Sequence, residues 1–184
     1  RDMAVKRMQS FTSVQPGETT GCVGCHEHRT QTPRIDFHNT AAVRRSPSRI
    51  VPIEGIPDVL DFPRDVQPVL NALCTDCHGY ETTARGGPRA GRLILTGDHG
   101  PLYSHSYYML TIGRLFADGR NQPRSNYAPR TLGSSASRLL TLLDGRHHGV
   151  QASDRQKTIL RLWIDSGAAY PGTYAALGCG MIGN

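Results

Sequence analysis

Two copies of one pentapeptide constrain this chain more than anything else in it: Cys22-Val23-Gly24-Cys25-His26 and Cys74-Thr75-Asp76-Cys77-His78. Each is a Cys-x-x-Cys-His run, the pattern through which haem c is attached to a protein. Two intervening residues space the thiols to match the two porphyrin vinyl groups. The adjacent His then falls beneath the metal as its proximal ligand. A single Cys-x-x-Cys is equally compatible with a zinc knuckle or a thiol redox pair. Two copies, both followed by His in a chain with only 8 histidines, favour haem. The expected cofactors are therefore two haem c groups, bound by Cys22, Cys25 and His26 and by Cys74, Cys77 and His78.

Composition agrees with a chain that leans on its cofactors. Of 184 residues, 20 are Gly and 12 are Pro, so loops should be plentiful, and aromatics make up only 7%. Two covalent porphyrins would supply apolar surface and act as staples, and little stable structure is expected without them. The formal charge of +6 suggests an anionic partner. Two haems, however, bring about four propionate charges, which Arg side chains pair with well. There is no block of five like charges and no interleaving of basic with aromatic residues, which argues against nucleic-acid binding. No run of about 18 apolar residues spans a membrane. The start, Arg1-Asp2-Met3-Ala4, lacks the apolar stretch of a signal peptide. Haem c is attached outside the cytoplasmic membrane, so a periplasmic or extracellular location is expected, the chain being a mature or excised piece. Cys179 has no obvious partner and reads as a buried inert thiol.

The organisation expected is mainly α with much irregular loop, in two parts. Residues 1–58 carry the first motif in a setting rich in Gly, Pro and Thr, and Pro47 to Pro57 read as an extended connector. In residues 59–184, Pro63-Arg64-Asp65 opens a helix with Val66, Val69, Leu70 and Leu73 on one face, running straight into Cys74. Residues 79–133 read as irregular. Ser137 caps a short helix bearing Leu139, Leu140, Leu142 and Leu143, with Gly145 beyond its end. Ser153 and Gln156 form a capping box before a last helix with Ile159, Leu160, Trp163 and Ile164, stopping near Gly167. Helix, haem motif, insert, helix, His-bearing loop, helix is the order of a class I cytochrome c fold. In that fold the loop before the last helix supplies the distal ligand.

That loop is Asp144-Gly145-Arg146-His147-His148-Gly149, and His147 is favoured over His148 as the sixth ligand of the second iron. For the first iron, His38 and His105 stand level. His28 is too close in sequence to His26 to reach the other porphyrin face, and His99 reads as a turn residue. Met8 and Met109 are thioether alternatives better suited to packing.

The chain resembles the C-terminal di-haem region of bacterial proteins related to the hydrazine synthase alpha subunit. The resembling stretches are Pro16 to Glu27, Asp61 to Leu70, Leu95-Thr96-Gly97-Asp98 and Gly167 to Tyr174, which together with the haem motifs extend over most of the chain. In such proteins a β-propeller usually precedes this region. The resemblance implies a bis-His second haem. In the synthase, a Tyr shortly after the first motif ligates an open catalytic haem. Here Glu27-His28-Arg29-Thr30-Gln31 follows His26, with no Tyr, so His26 is expected as an ordinary proximal ligand.

The function these features favour is electron transfer through two bis-His haems, between redox partner proteins. A repeating unit of an extracellular haem chain, formed by self-association, is compatible with it. The competing readings are a redox enzyme with one open haem, peroxidase-like or converting nitrogen compounds, and a relay domain serving a fused or associated propeller. Asp98, His99 and His105 are the residues that could furnish acid–base groups for an enzyme.

Overall fold

The computed structural model describes residues 3–7, 15–18, 30–31, 44–119 and 127–172. The chain divides into two units, one formed by residues 8–52 and the other by residues 1–7 together with 53–184. Of the first unit, the described pieces are a short turn, in which Glu18 N–H donates to the Gln15 carbonyl at 3.0 Å, residues 30–31, and the exposed residues 44–52. The first haem motif, Cys22 to His26, lies outside the described residues, as do His28, His38, Met8 and Cys179.

The second unit is built from short helices with long connections. A π-helical turn, Phe62–Val66, runs into α1, Gln67–Leu73. Helix α2 spans His105–Ile112, α3 Arg138–Thr141 and α4 Asp154–Asp165. Among the described residues there is no sheet, only isolated bridges at Thr83–Gly86, His99–Ser104 and Asp144–Gln151.

The π-turn, α2 and α4 begin where side chains satisfy their free N–H groups. Asp61 accepts from Arg64 N–H at 3.1 Å, and Asp65 accepts from Asp61 N–H at 2.7 Å, a reciprocal pair that fixes the entry to α1. Asp61 also accepts from Gly172 N–H at 3.0 Å, tying the far end of the unit to the same cap. At α4 the expected capping box is formed: Ser153 accepts from Gln156 N–H, and Gln156 accepts from Ser153 N–H at 2.8 Å. Ser137 precedes α3 but does not cap it; its hydroxyl bridges Gly133 O and Ala117 N–H instead. Helix α2 falls in the stretch expected to be irregular. Ser104 caps it, and its apolar residues are spread around the axis rather than gathered on one face, with Tyr107 and Leu110 buried but Tyr108 and Ile112 exposed.

The core forms where the π-turn and α1 meet α2 and α4. Phe62, Val66, Leu70, Leu110, Leu160, Trp163 and Ile164 are all but fully buried there. Phe62 packs against Tyr107 at 5.1 Å and Trp163 at 5.3 Å between ring centres, and Tyr107 against Tyr170 at 5.0 Å. Phe62, Tyr103, Tyr107, Phe116, Trp163 and Tyr170 thus form one aromatic cluster, and the polar ends of Trp163 and Tyr107 are met by the turn after α4. Trp163 Nε1–H donates to Ala169 O and Tyr107 O–H to Ala168 O, each at 2.9 Å. Residues 3–7 complete this unit: Arg130 N–H donates to Val5 O at 2.7 Å, Ser135 to Ala4 O at 2.9 Å, and Arg7 to Ile164 O at 3.1 Å.

Candidate haem site

The second motif leaves α1 as a continuous turn. Cys74 N–H donates to Leu70 O at 2.8 Å and His78 N–H to Cys74 O at 2.9 Å, so the helix hands its axis directly to the Cys-x-x-Cys-His run. Cys74 packs on the core. Its burial, aided by the neighbouring Cys77, pushes the thiol up to about 11. Cys77 is half-buried, its Sγ 3.1 Å from Arg85 O, and the two cysteines are not bonded to each other.

The following residues wrap back over the motif. Arg89 N–H donates to Gly79 O at 2.9 Å, Ala90 N–H to Cys77 O at 3.0 Å and Leu95 N–H to His78 O at 2.7 Å. Two glycines make the wrap feasible. A Cβ on Gly79 would lie 2.6 Å from Thr75 O, and one on Gly87 would lie 2.5 Å from Glu81 O at a φ of +88°. The wrap delivers the Ala90 carbonyl to His78, 2.7 Å from Nδ1. A carbonyl can only accept, so Nδ1 carries the proton and Nε2 keeps its lone pair for a metal. No side-chain pattern announces a backbone acceptor of this kind. The Gly86-Gly87-Pro88 run was its one trace in the sequence.

His147 comes from the opposite side. Its loop is closed by backbone bonds: Ala152 N–H to Leu143 O at 3.1 Å, Gly145 N–H to Val150 O at 2.8 Å and Val150 N–H to His147 O at 2.9 Å. Arg146 pairs with Asp144 at 2.9 Å across the turn. The ring centres of His78 and His147 are 6.0 Å apart and their planes lie within 15°. Two imidazoles sharing one metal through bonds of about 2 Å, with roughly 1 Å more from nitrogen to each ring centre, put their centres about 6 Å apart. The spacing of the pair is compatible with His78 and His147 being the residues that would hold a haem iron. His148 packs edge-on against His147, with centres 4.7 Å apart, and is exposed with φ at 49°, in the left-handed region. Burial, then His148, His78 and Arg138 nearby, hold His147 below the usual imidazole range, which favours its neutral, ligating form. No group of three or more His, Cys, Asp or Glu side chains capable of caging a bare metal ion occurs among the described residues. An axial haem pair requires only two.

The remaining candidates sit elsewhere in the unit. Asp98 accepts from Thr96 Oγ1 at 2.6 Å, and its backbone carbonyl accepts from His105 N–H at 2.7 Å. His105 opens α2, and its Nε2 is buried with no hydrogen-bond partner. His99 lines a cavity of about 380 Å³ with Asp61, Gln67, Ser104 and Tyr170. Behind that cavity Ser104 meets Ser106 at 3.0 Å, Ser106 bonds to Gln67, and Gln67 donates to Leu95 O at 3.0 Å, a fully buried polar chain. Met109 packs against the core. No helix of the described residues is long and apolar enough to cross a membrane.

No protein-family model, no curated protein and no solved structure matches the chain.

Proposed function

We propose that the chain is a di-haem c-type cytochrome that carries electrons, its second half arranged as a class I cytochrome c. The observation that carries this reading is the His78–His147 pair: two imidazoles from separate segments, their ring planes parallel within 15° and their centres 6.0 Å apart, beside two cysteines spaced for a porphyrin. Haem bound there supplies a one-electron ferric/ferrous couple whose potential two nitrogen ligands keep lower than His/Met ligation would. The chain's own part is to hold both ligands still. The Ala90 carbonyl fixes the tautomer and angle of His78, and the closed loop fixes His147, so neither has to reorganise as charge changes. A second such group at Cys22, Cys25 and His26 completes the carrier, with His38 and His105 both retained as sources of its sixth ligand. The location is periplasmic or extracellular, and the partners are redox proteins, a second copy of the chain in a haem filament, or a propeller domain, as in the hydrazine synthase alpha-related proteins that the sequence resembles.

Optical and electron paramagnetic resonance spectra of the purified chain test this. Two low-spin haems, slow to take up carbon monoxide when reduced, are expected. A high-spin haem that binds carbon monoxide rapidly and turns over peroxide, hydroxylamine or nitric oxide would favour an enzyme instead.

A further inference from the structure

We infer that His78 and His147 alone hold haem, with no thioether formed, so that the second unit is a haem b site onto which Cys74 and Cys77 add a covalent lock. This deepens the haem reading above and rests on it. The argument is that neither ligand is oriented by a cysteine side chain. His78 is turned by its Nδ1 bond to Ala90 O at 2.7 Å, and Ala90 is in turn held by its own N–H on the Cys77 backbone carbonyl at 3.0 Å. His147 is presented by a loop that closes on itself through Gly145, Val150 and Leu143. Across the 6.0 Å gap, the His78 ring is thus fixed by a bond to a backbone carbonyl and the backbone that carries His147 by the closure of its loop. Half-buried apolar residues also flank both ligands in the chain, Leu73 and Leu93 at the motif and its wrap, Leu140 and Val150 at the loop. Contact with a porphyrin face is the ordinary way for such residues to complete their burial.

The test uses the full chain with Cys74→Ala and Cys77→Ala, leaving the first motif intact as an internal reference. Denaturing mass spectrometry should show one covalent porphyrin, and native mass spectrometry two. The second haem should be low-spin and extractable into acidified organic solvent. Adding His147→Ala in the same background should weaken retention by at least about tenfold, the scale of losing one determinant of a metal site. Because the double variant could fail to fold, the unsubstituted chain is also refolded in the presence of iron mesoporphyrin. That porphyrin carries ethyl groups where haem has vinyls and cannot form thioethers. A low-spin, two-imidazole complex that His147→Ala weakens supports the inference. Native mass with one porphyrin, a high-spin second haem, or mesoporphyrin binding indifferent to His147 overturns it. If the parent chain carries two covalent haems while the second site of these variants stays empty, only this inference falls. If the parent carries no haem at all, the proposed function falls with it.

Discussion

Replacing His147 by Ala separates loss of a ligand from loss of the fold. The loop around it is held by three backbone hydrogen bonds of 2.8–3.1 Å, none of which uses the imidazole. The side chain itself contributes one edge-on contact with the exposed His148 ring, worth about 1 kcal/mol or less at a half-exposed site. The fold should therefore lose less than about 1 kcal/mol, and far-ultraviolet circular dichroism should show unchanged helix content. A haem held by His78 and His147 would, by contrast, lose one of its two imidazole ligands. One of the two haems, half of the total, should become high-spin and take up carbon monoxide rapidly on reduction. The control is His148→Gly rather than His148→Ala, because φ at 148 is 49°, where an added Cβ is strained by roughly 1 kcal/mol and glycine is not. His148→Gly should stay low-spin. If His147→Ala remained low-spin while His148→Gly did not, the assignment of the sixth ligand, and the argument from ring spacing behind it, would be refuted.

Intact mass spectrometry should find the chain heavier than its bare 20.1 kDa by two porphyrins, and Cys25→Ala should lose stable attachment at the first motif only. Leu160→Ala, at a site with no exposure, should destabilise the chain by about 2–5 kcal/mol in denaturant titration. Asp65→Asn should cost about 1–2 kcal/mol near neutral pH. Burial raises the Asp65 carboxyl, but Arg64 and the Asp61 N–H outweigh that and hold it below its ordinary value. Its stabilisation is therefore complete above the unfolded value of about 3.9 and fades as pH falls through the lower folded one. The Asn variant should accordingly converge on the parent in acid, and a deficit unchanged at low pH would contradict the capping role.

What could be read from the sequence follows from where the signals are local. The α1 and α4 helices announce themselves because an apolar face at helical spacing coincides with end signals, Pro63 to Asp65 in one case and Ser153 with Gln156 in the other. Helix α2 does not, because Tyr107, Tyr108, Met109, Leu110 and Ile112 surround its axis and give no face. Of the site, the motif and the loop bearing His147 are visible as residue types. The Ala90 carbonyl is not, since any residue but its conformation could supply it, and conformation there depends on Gly79 and Gly87 admitting a close approach from elsewhere in the chain. The division of the chain is equally non-local: residues 3–7 belong with the second unit because of partners at Arg130, Ser135 and Ile164, far beyond any sequence window.

That docked N-terminal strap turns residues 8–52 into a closed excursion, leaving from and returning to one folded unit. A protease cut in the exposed stretch at 46–52 would turn docking of the strap from an intramolecular step into a bimolecular one. The nicked chain would lose the covalent link that keeps its N-terminal piece at high effective concentration, and it would unfold more readily than the intact one.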